Sequence, residues 1–205
     1  MNELTAHRLV PVVVLNDTGH ADGLADALVA GGLPVAEVTL RTDAGLGSIR
    51  TMADRGDILV GAGTVTTVDQ VDQVVDAGAR FIVSPGFSRA VVDRALHHGV
   101  PIVPGCVTPS EIMAALEAGI TTVKFFPAGV YGGAKAIKAL AAPFAGVQFI
   151  PTGGVSADNL GDFLSLPYVP AVGGSWMVPV GSIDAGDFDD VTRLTAQAVS
   201  AAAAI

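Results

Sequence analysis

Short apolar, β-rich runs alternate with Ala-rich segments of helical spacing along the whole chain. Strands are predicted to begin near Val10, Ala36, Ile58, Phe81, Pro101, Thr121, Val147 and Ala171. A helical pattern follows each, for example His20 to Ala30, Val68 to Ala77, Pro109 to Ala118 and Phe188 to Ala203. Gly31-Gly32, Gly78, Gly99 and Gly119 fall where helices should end. Thr108-Pro109-Ser110-Glu111 carries a capping residue, a proline at the first helical position and a glutamate at the third. Strand starts recur roughly every 20 to 26 residues, the length of one βα unit. Eight such units predict an α/β protein with a (β/α)8 TIM barrel spanning residues 1–205 as one domain. An open doubly wound sheet is the alternative. The Ala-rich tail after Ser200 reads as a fraying helix end.

Composition narrows the class. Half the residues are hydrophobic and mean hydropathy is +0.55, yet no apolar run approaches the ~20 residues of a membrane span. The apolar run from Leu9 to Leu15 ends at Asn16-Asp17 and lacks the layout of a signal peptide. A cytoplasmic protein with no membrane partner is expected. Net charge is −9 with no Lys/Arg cluster, so nucleic acid is not an expected partner either. An anionic substrate would have to be held locally, by an arginine or by helix N-termini. The single cysteine, Cys106, forms no internal disulfide, and the four histidines show no metal-ligand spacing. No metal or cofactor is expected.

One residue breaks the apolar pattern. Lys124 lies in Thr121-Thr122-Val123-Lys124-Phe125-Phe126-Pro127, a run that reads as a strand buried on both faces. A lysine there loses hydration, which disfavours the ammonium form and yields an amine able to attack a carbonyl and form a Schiff base. A lysine snorkelling from a strand end, or held in a structural ion pair, is the competing reading.

Period-2 alternation in the second strand places Glu37, Thr39 and Arg41 on one face and Val38 and Leu40 on the other. Outer helices want the apolar set, so an acid and a guanidinium should meet Lys124 at one barrel mouth. Arg41 offers a planar fork for a carboxylate, and Glu37 can move protons. A buried Glu–Arg–Lys network that only holds the barrel together remains open. Gly61-Ala62-Gly63-Thr64, Thr152-Gly153-Gly154 and Gly173-Gly174-Ser175 end the third, seventh and eighth strands. Glycines there let amides approach an anion, and barrel phosphate sites use the loops after strands seven and eight. Pro85 could be merely a turn residue. Cys106 reads as a small lining residue, since no histidine is placed to activate it.

These motifs, in order, resemble one family. Glu37-Val38-Thr39-Leu40-Arg41-Thr42, Gly61-Ala62-Gly63-Thr64-Val65, Ser84-Pro85-Gly86, Lys124-Phe125-Phe126-Pro127-Ala128, Pro151-Thr152-Gly153-Gly154-Val155 and Gly173-Gly174-Ser175-Trp176 are similar to the 2-keto-3-deoxy-6-phosphogluconate (KDPG) / 4-hydroxy-2-oxoglutarate (KHG) aldolases. The resemblance covers essentially the whole chain. It implies a class I aldolase, active without metal, usually a homotrimer, that cleaves a 2-oxo acid phosphate to pyruvate and glyceraldehyde 3-phosphate. It further implies that Lys124 forms the Schiff base and that Glu37 is the general acid/base. Arg41 and Thr64 would hold the pyruvyl carboxylate, with Pro85 and Phe126 lining the pocket. Gly153, Gly154, Gly174 and Ser175 would surround the phosphate, with Thr152 near the substrate hydroxyls. Gly129 departs from the pattern, since relatives often carry an acid after Phe-Phe-Pro-Ala. The sister specificities, KHG or the galactonate epimer of KDPG, share the lysine, acid and arginine and stay open at this point. So do a phosphate-binding barrel enzyme without a Schiff base and a non-catalytic phosphosugar-binding barrel.

Overall fold

The computed structural model describes residues 1–205, apart from the side chain of Asn2. Its strands are β1 (Leu9–Val13), β2 (Val35–Thr39), β3 (Leu59–Gly63), β4 (Ile82–Val83), β5 (Ile102–Val103), β6 (Thr122–Phe125), β7 (Gln148–Pro151) and β8 (Val172–Gly174). All paired strands are parallel. A six-stranded sheet has the order β5-β4-β3-β2-β1-β8, and β6 and β7 pair as a second sheet. Isolated bridges join the two sheets, Gly105 to Lys124 and Thr152 to Gly173. Seven of the strands are buried along their whole length, as expected of a parallel sheet covered by helices, and only Gln148 of β7 is exposed.

The helices are α1 (Asn2–Thr5), α2 (Ala21–Ala30), α3 (Ala44–Arg55), α4 (Val68–Asp76), α5 (Arg89–His97), α6 (Pro109–Glu117), α7 (Gly133–Ala141), α8 (Leu160–Leu164), α9 (Val180–Asp184) and α10 (Phe188–Ala203). Helix ends follow the sequence signals. Thr108 and Glu111 form a complete capping box at α6, with Pro109 at its start. Eight helices alternating with strands match the expected units. The short α1 precedes β1, and α9 lies between β8 and α10; neither carries enough periodic apolar positions to announce itself.

The C-terminal tail differs from its expectation. α10 continues to Ala203, and Ala202 is buried rather than frayed. Arg8 explains this: one guanidinium nitrogen donates to the Ala202 carbonyl at 2.9 Å and the other to the Leu164 carbonyl at 3.1 Å. A single side chain thereby satisfies carbonyls at the C-terminal ends of both α8 and α10.

Candidate active site

Glu37 is the third residue of β2, and Lys124 the third of β6. Their side chains reach across the interior until Lys124 Nζ lies 3.0 Å from Glu37 Oε1. Both residues are buried, at 5% and 3% exposure. Charged groups so desolvated persist only when paired. The alternation rule therefore places the acid and the lysine correctly, and the two meet directly. Together with Leu4, Val10 and Thr152 they line a small cavity of about 10 Å³.

A much larger cavity, of about 470 Å³, shares Thr152 with it. Arg41, Phe126, Thr152, Gly153, Gly154, Gly174 and Ser175 all line it. Thr152 faces both cavities. The Phe126 ring, centred 5.2 Å from Lys124 Nζ, also joins them. Lys124 itself lines the small cavity, and Thr152 and Phe126 connect it with the large one. Arg41 does not turn into the interior with Glu37. β2 ends at Thr39, and Arg41 follows it as an exposed residue on the rim. Among the described residues nothing pairs with its guanidinium, which leaves the fork free for a ligand.

The two predicted anion-binding turns converge here. Gly153 and Gly154 adopt successive left-handed conformations, φ 84° and 79°, that glycine adopts freely. Among the described residues, the N–H groups of Gly153, Gly154 and Ser175 have no hydrogen-bond partner. Unpaired amides facing a cavity from such a turn suit a phosphate group. Gly129 abuts this turn: its N–H donates to the Gly153 carbonyl at 2.9 Å, and it carries no side chain toward the Gly154 backbone.

The other expected residues lie nearby but apart. Pro85 is exposed and lines a neighbouring depression of about 230 Å³ with Val65, Thr66 and Ser84. Thr64 follows β3 with φ 64°, a left-handed backbone that a β-branched residue rarely adopts. Such strain costs on the order of 1–3 kcal/mol and is found at functional sites. Gly61 and Gly63, read as part of an anion-binding turn, instead lie within β3 and are buried. Cys106 is buried, its Sγ 3.5 Å from the Glu111 carbonyl, and burial pushes its thiol up to about 12. It lines none of these cavities, and its burial does not suit a nucleophile. Val178, Pro179 and Val180 also wall the large cavity. Only their position after the eighth strand could have flagged them.

The model of the family "KDPG and KHG aldolase" matches residues 1–194. The 2-dehydro-3-deoxy-phosphogluconate aldolase of Treponema pallidum is 50% identical over 191 residues, covering 93% of this chain and 91% of the relative. A crystal structure of the Legionella pneumophila KDPG aldolase, with pyruvate captured as a covalent carbinolamine intermediate, superposes with a TM-score of 0.92. It is 40% identical and covers 95% of each chain. The Zymomonas mobilis aldolase with 3-phosphoglycerate gives 0.91 at 37% identity, covering 98% of this chain and 96% of that one. With its family motifs in order and its buried lysine and glutamate paired, the chain belongs to the KDPG and KHG aldolase family.

Proposed function

We propose that this protein is a class I aldolase that reversibly cleaves KDPG to pyruvate and glyceraldehyde 3-phosphate. The observation that carries this reading is the buried Lys124–Glu37 pair, joined through Thr152 to a cavity lined by residues with unpaired amides. Transfer of the lysine proton to Glu37 across their 3.0 Å contact releases a neutral amine.

In the proposed sequence Lys124 adds to the C2 carbonyl, giving a carbinolamine. Glu37 protonates the departing hydroxyl, water leaves, and a protonated imine forms. Glu37, now a carboxylate, removes the C4 hydroxyl proton. The C3–C4 bond breaks and its electron pair moves into the iminium as glyceraldehyde 3-phosphate departs. Protonation of the enamine at C3 and hydrolysis of the imine release pyruvate and restore the lysine. Arg41 and Thr64 hold the substrate carboxylate, while Pro85 and Phe126 wall the pyruvyl end. Thr152 lies beside the substrate hydroxyls, and Gly153, Gly154, Gly174 and Ser175 receive the phosphate. The free amides of the two turns favour a phosphorylated substrate over KHG.

The same reading takes residues 1–205 as one domain whose two sheets close into a (β/α)8 barrel through the Gly105–Lys124 and Thr152–Gly173 bridges. It further takes the active form as a cytoplasmic homotrimer. Half-exposed Leu96, Met113 and Leu116 on α5 and α6 supply apolar surface for such contacts. No helix among the described residues is long and apolar enough to cross a membrane.

Incubation with pyruvate and borohydride, followed by intact-mass analysis, tests the function. A reduced pyruvyl adduct on the wild type, absent from Lys124→Ala, is expected. No adduct on the wild type would discard the Schiff-base reading.

A further inference from the structure

Glycine weakens a strand interior, yet β3 carries two at positions of one face, Gly61 and Gly63. Neither has a left-handed backbone, so backbone conformation does not require glycine at either place. Space does. A methyl group added at Gly61 would meet the Phe81 ring at 2.5 Å. At Gly63 it would meet Glu37 Cγ at 2.7 Å and Cδ at 3.0 Å, and would overlap Oε1, the oxygen that contacts Lys124.

The register sharpens this. Glu37 is opposite Gly61, and Thr39 is opposite Gly63. The Glu37 side chain therefore leans along the sheet by one pleat, toward the strands' C-terminal ends, and lies over Gly63. Its carboxylate occupies the volume that any larger residue at position 63 would fill.

We propose that Gly63 is a positioning residue for Glu37: the bare face of β3 forms the slot that holds the carboxylate against Lys124. This rests on the Schiff-base reading above and adds a residue that touches no substrate. Thr39 does not share the slot, because its hydroxyl is turned to the Val13 carbonyl at 2.9 Å. The atoms that must yield to a methyl belong to the Glu37 side chain, from Cγ to the carboxylate, and none belongs to the backbone. Gly63→Ala should therefore displace the acid while leaving the fold in place.

The test compares wild type, Gly63→Ala, Glu37→Gln and the double variant by the rate of borohydride trapping of pyruvate and by turnover of KDPG. Gly63→Ala is expected to lose roughly tenfold or more in trapping rate and kcat, as a displaced proton-transfer group should. Added to Glu37→Gln it should cause no further loss, since its effect passes through Glu37. Thermal melting of Gly63→Ala/Glu37→Ala should match Glu37→Ala alone, because truncating the acid makes room for the methyl. That comparison still decides the matter if the single Gly63 variant folds poorly. Wild-type trapping in Gly63→Ala, multiplicative losses in the double variant, or misfolding in both backgrounds would overturn the slot while leaving the aldolase reading intact. Failure of the wild type to trap pyruvate would instead remove the aldolase reading on which the slot depends.

Discussion

Lys124 Nζ and Glu37 Oε1 stand 3.0 Å apart, 87 residues distant in sequence, and both are shut off from solvent. This pair is at once a buried ion pair and the proposed catalytic couple, so function and stability must be measured separately. Removing one partner of a buried pair strands the other and costs about 3–5 kcal/mol, whereas replacing both with apolar groups is often neutral. Lys124→Met should lower the melting temperature clearly, and Lys124→Met/Glu37→Leu should recover most of it. Neither should form a pyruvyl adduct. Glu37→Gln retains the lysine and should lose roughly 10²-fold in kcat. Full turnover in Lys124→Met would eliminate the lysine as nucleophile.

Arg41 gives the opposite signature. Its guanidinium is exposed on the cavity rim and unpaired, so no folding contact is lost with it. A charge-assisted hydrogen bond to a substrate carboxylate contributes about 1.5–3 kcal/mol, which corresponds to a loss of roughly 10- to 100-fold in kcat/KM. Arg41→Ala should show that loss with an unchanged melting temperature. Steady-state kinetics beside a melting curve decides it, and an unaltered kcat/KM would place the substrate carboxylate elsewhere.

Much of this was legible in the chain because parallel strands buried on both faces leave a strong apolar signal, and a lone lysine stands out against it. Alternation located Glu37 correctly. It overreached at Arg41 because a strand's two-residue period ends with the strand, and β2 stops at Thr39. Gly63 was misread as part of an anion turn: a string of glycines does not tell whether backbone or a neighbouring side chain uses the space. The α10 terminus looked frayed because nothing near Ala202 announces that Arg8, from the other end of the chain, will hold its carbonyl. Long-range pairings of this kind leave no local pattern.

The Gly153-Gly154 turn should govern which substrate is used. Both residues are left-handed, and an alanine there costs roughly 1–2 kcal/mol of backbone strain. The relaxed turn would aim its amides away from the cavity. Gly154→Ala should therefore reduce kcat/KM for KDPG by roughly tenfold or more, matching that energy, while barely altering activity on unphosphorylated KHG. Parallel assays on the two substrates check this. Equal losses on both would assign the turn a purely structural role.

Cys106 should be inert. Burial, with a smaller contribution from the nearby Glu111 charge, pushes its thiol up to about 12. At pH 8 only ~10⁻⁴ of it would be the reactive thiolate. Iodoacetamide at pH 8 should leave the native protein unmodified and label it promptly in denaturant, as read by intact mass. Cys106→Ala should keep its turnover. Rapid labelling of the native state would mean that the wall near Lys124 opens to solvent.

The last prediction concerns pH and lies outside the site. Asp72 of α4 accepts from Arg94 at 2.6 and 2.9 Å and contacts His98 Nε2 at 2.7 Å, tying α4 to α5 and its C-terminal cap. Arg94 first, then His98, hold its carboxyl at about 2, below its ordinary 3.8. A carboxyl whose folded value is depressed binds protons less readily in the folded state than in the unfolded one. Its stabilisation is therefore complete above about pH 4 and disappears as the pH falls through 2. Solvent reaches this cluster, so the effect is modest at neutral pH and weakens with salt. Asp72→Asn should melt slightly below wild type at pH 7, and the gap should close between pH 4 and pH 2. Melting curves across that interval provide the measurement, and a gap that persisted at pH 2 would show that the cluster acts through packing rather than charge.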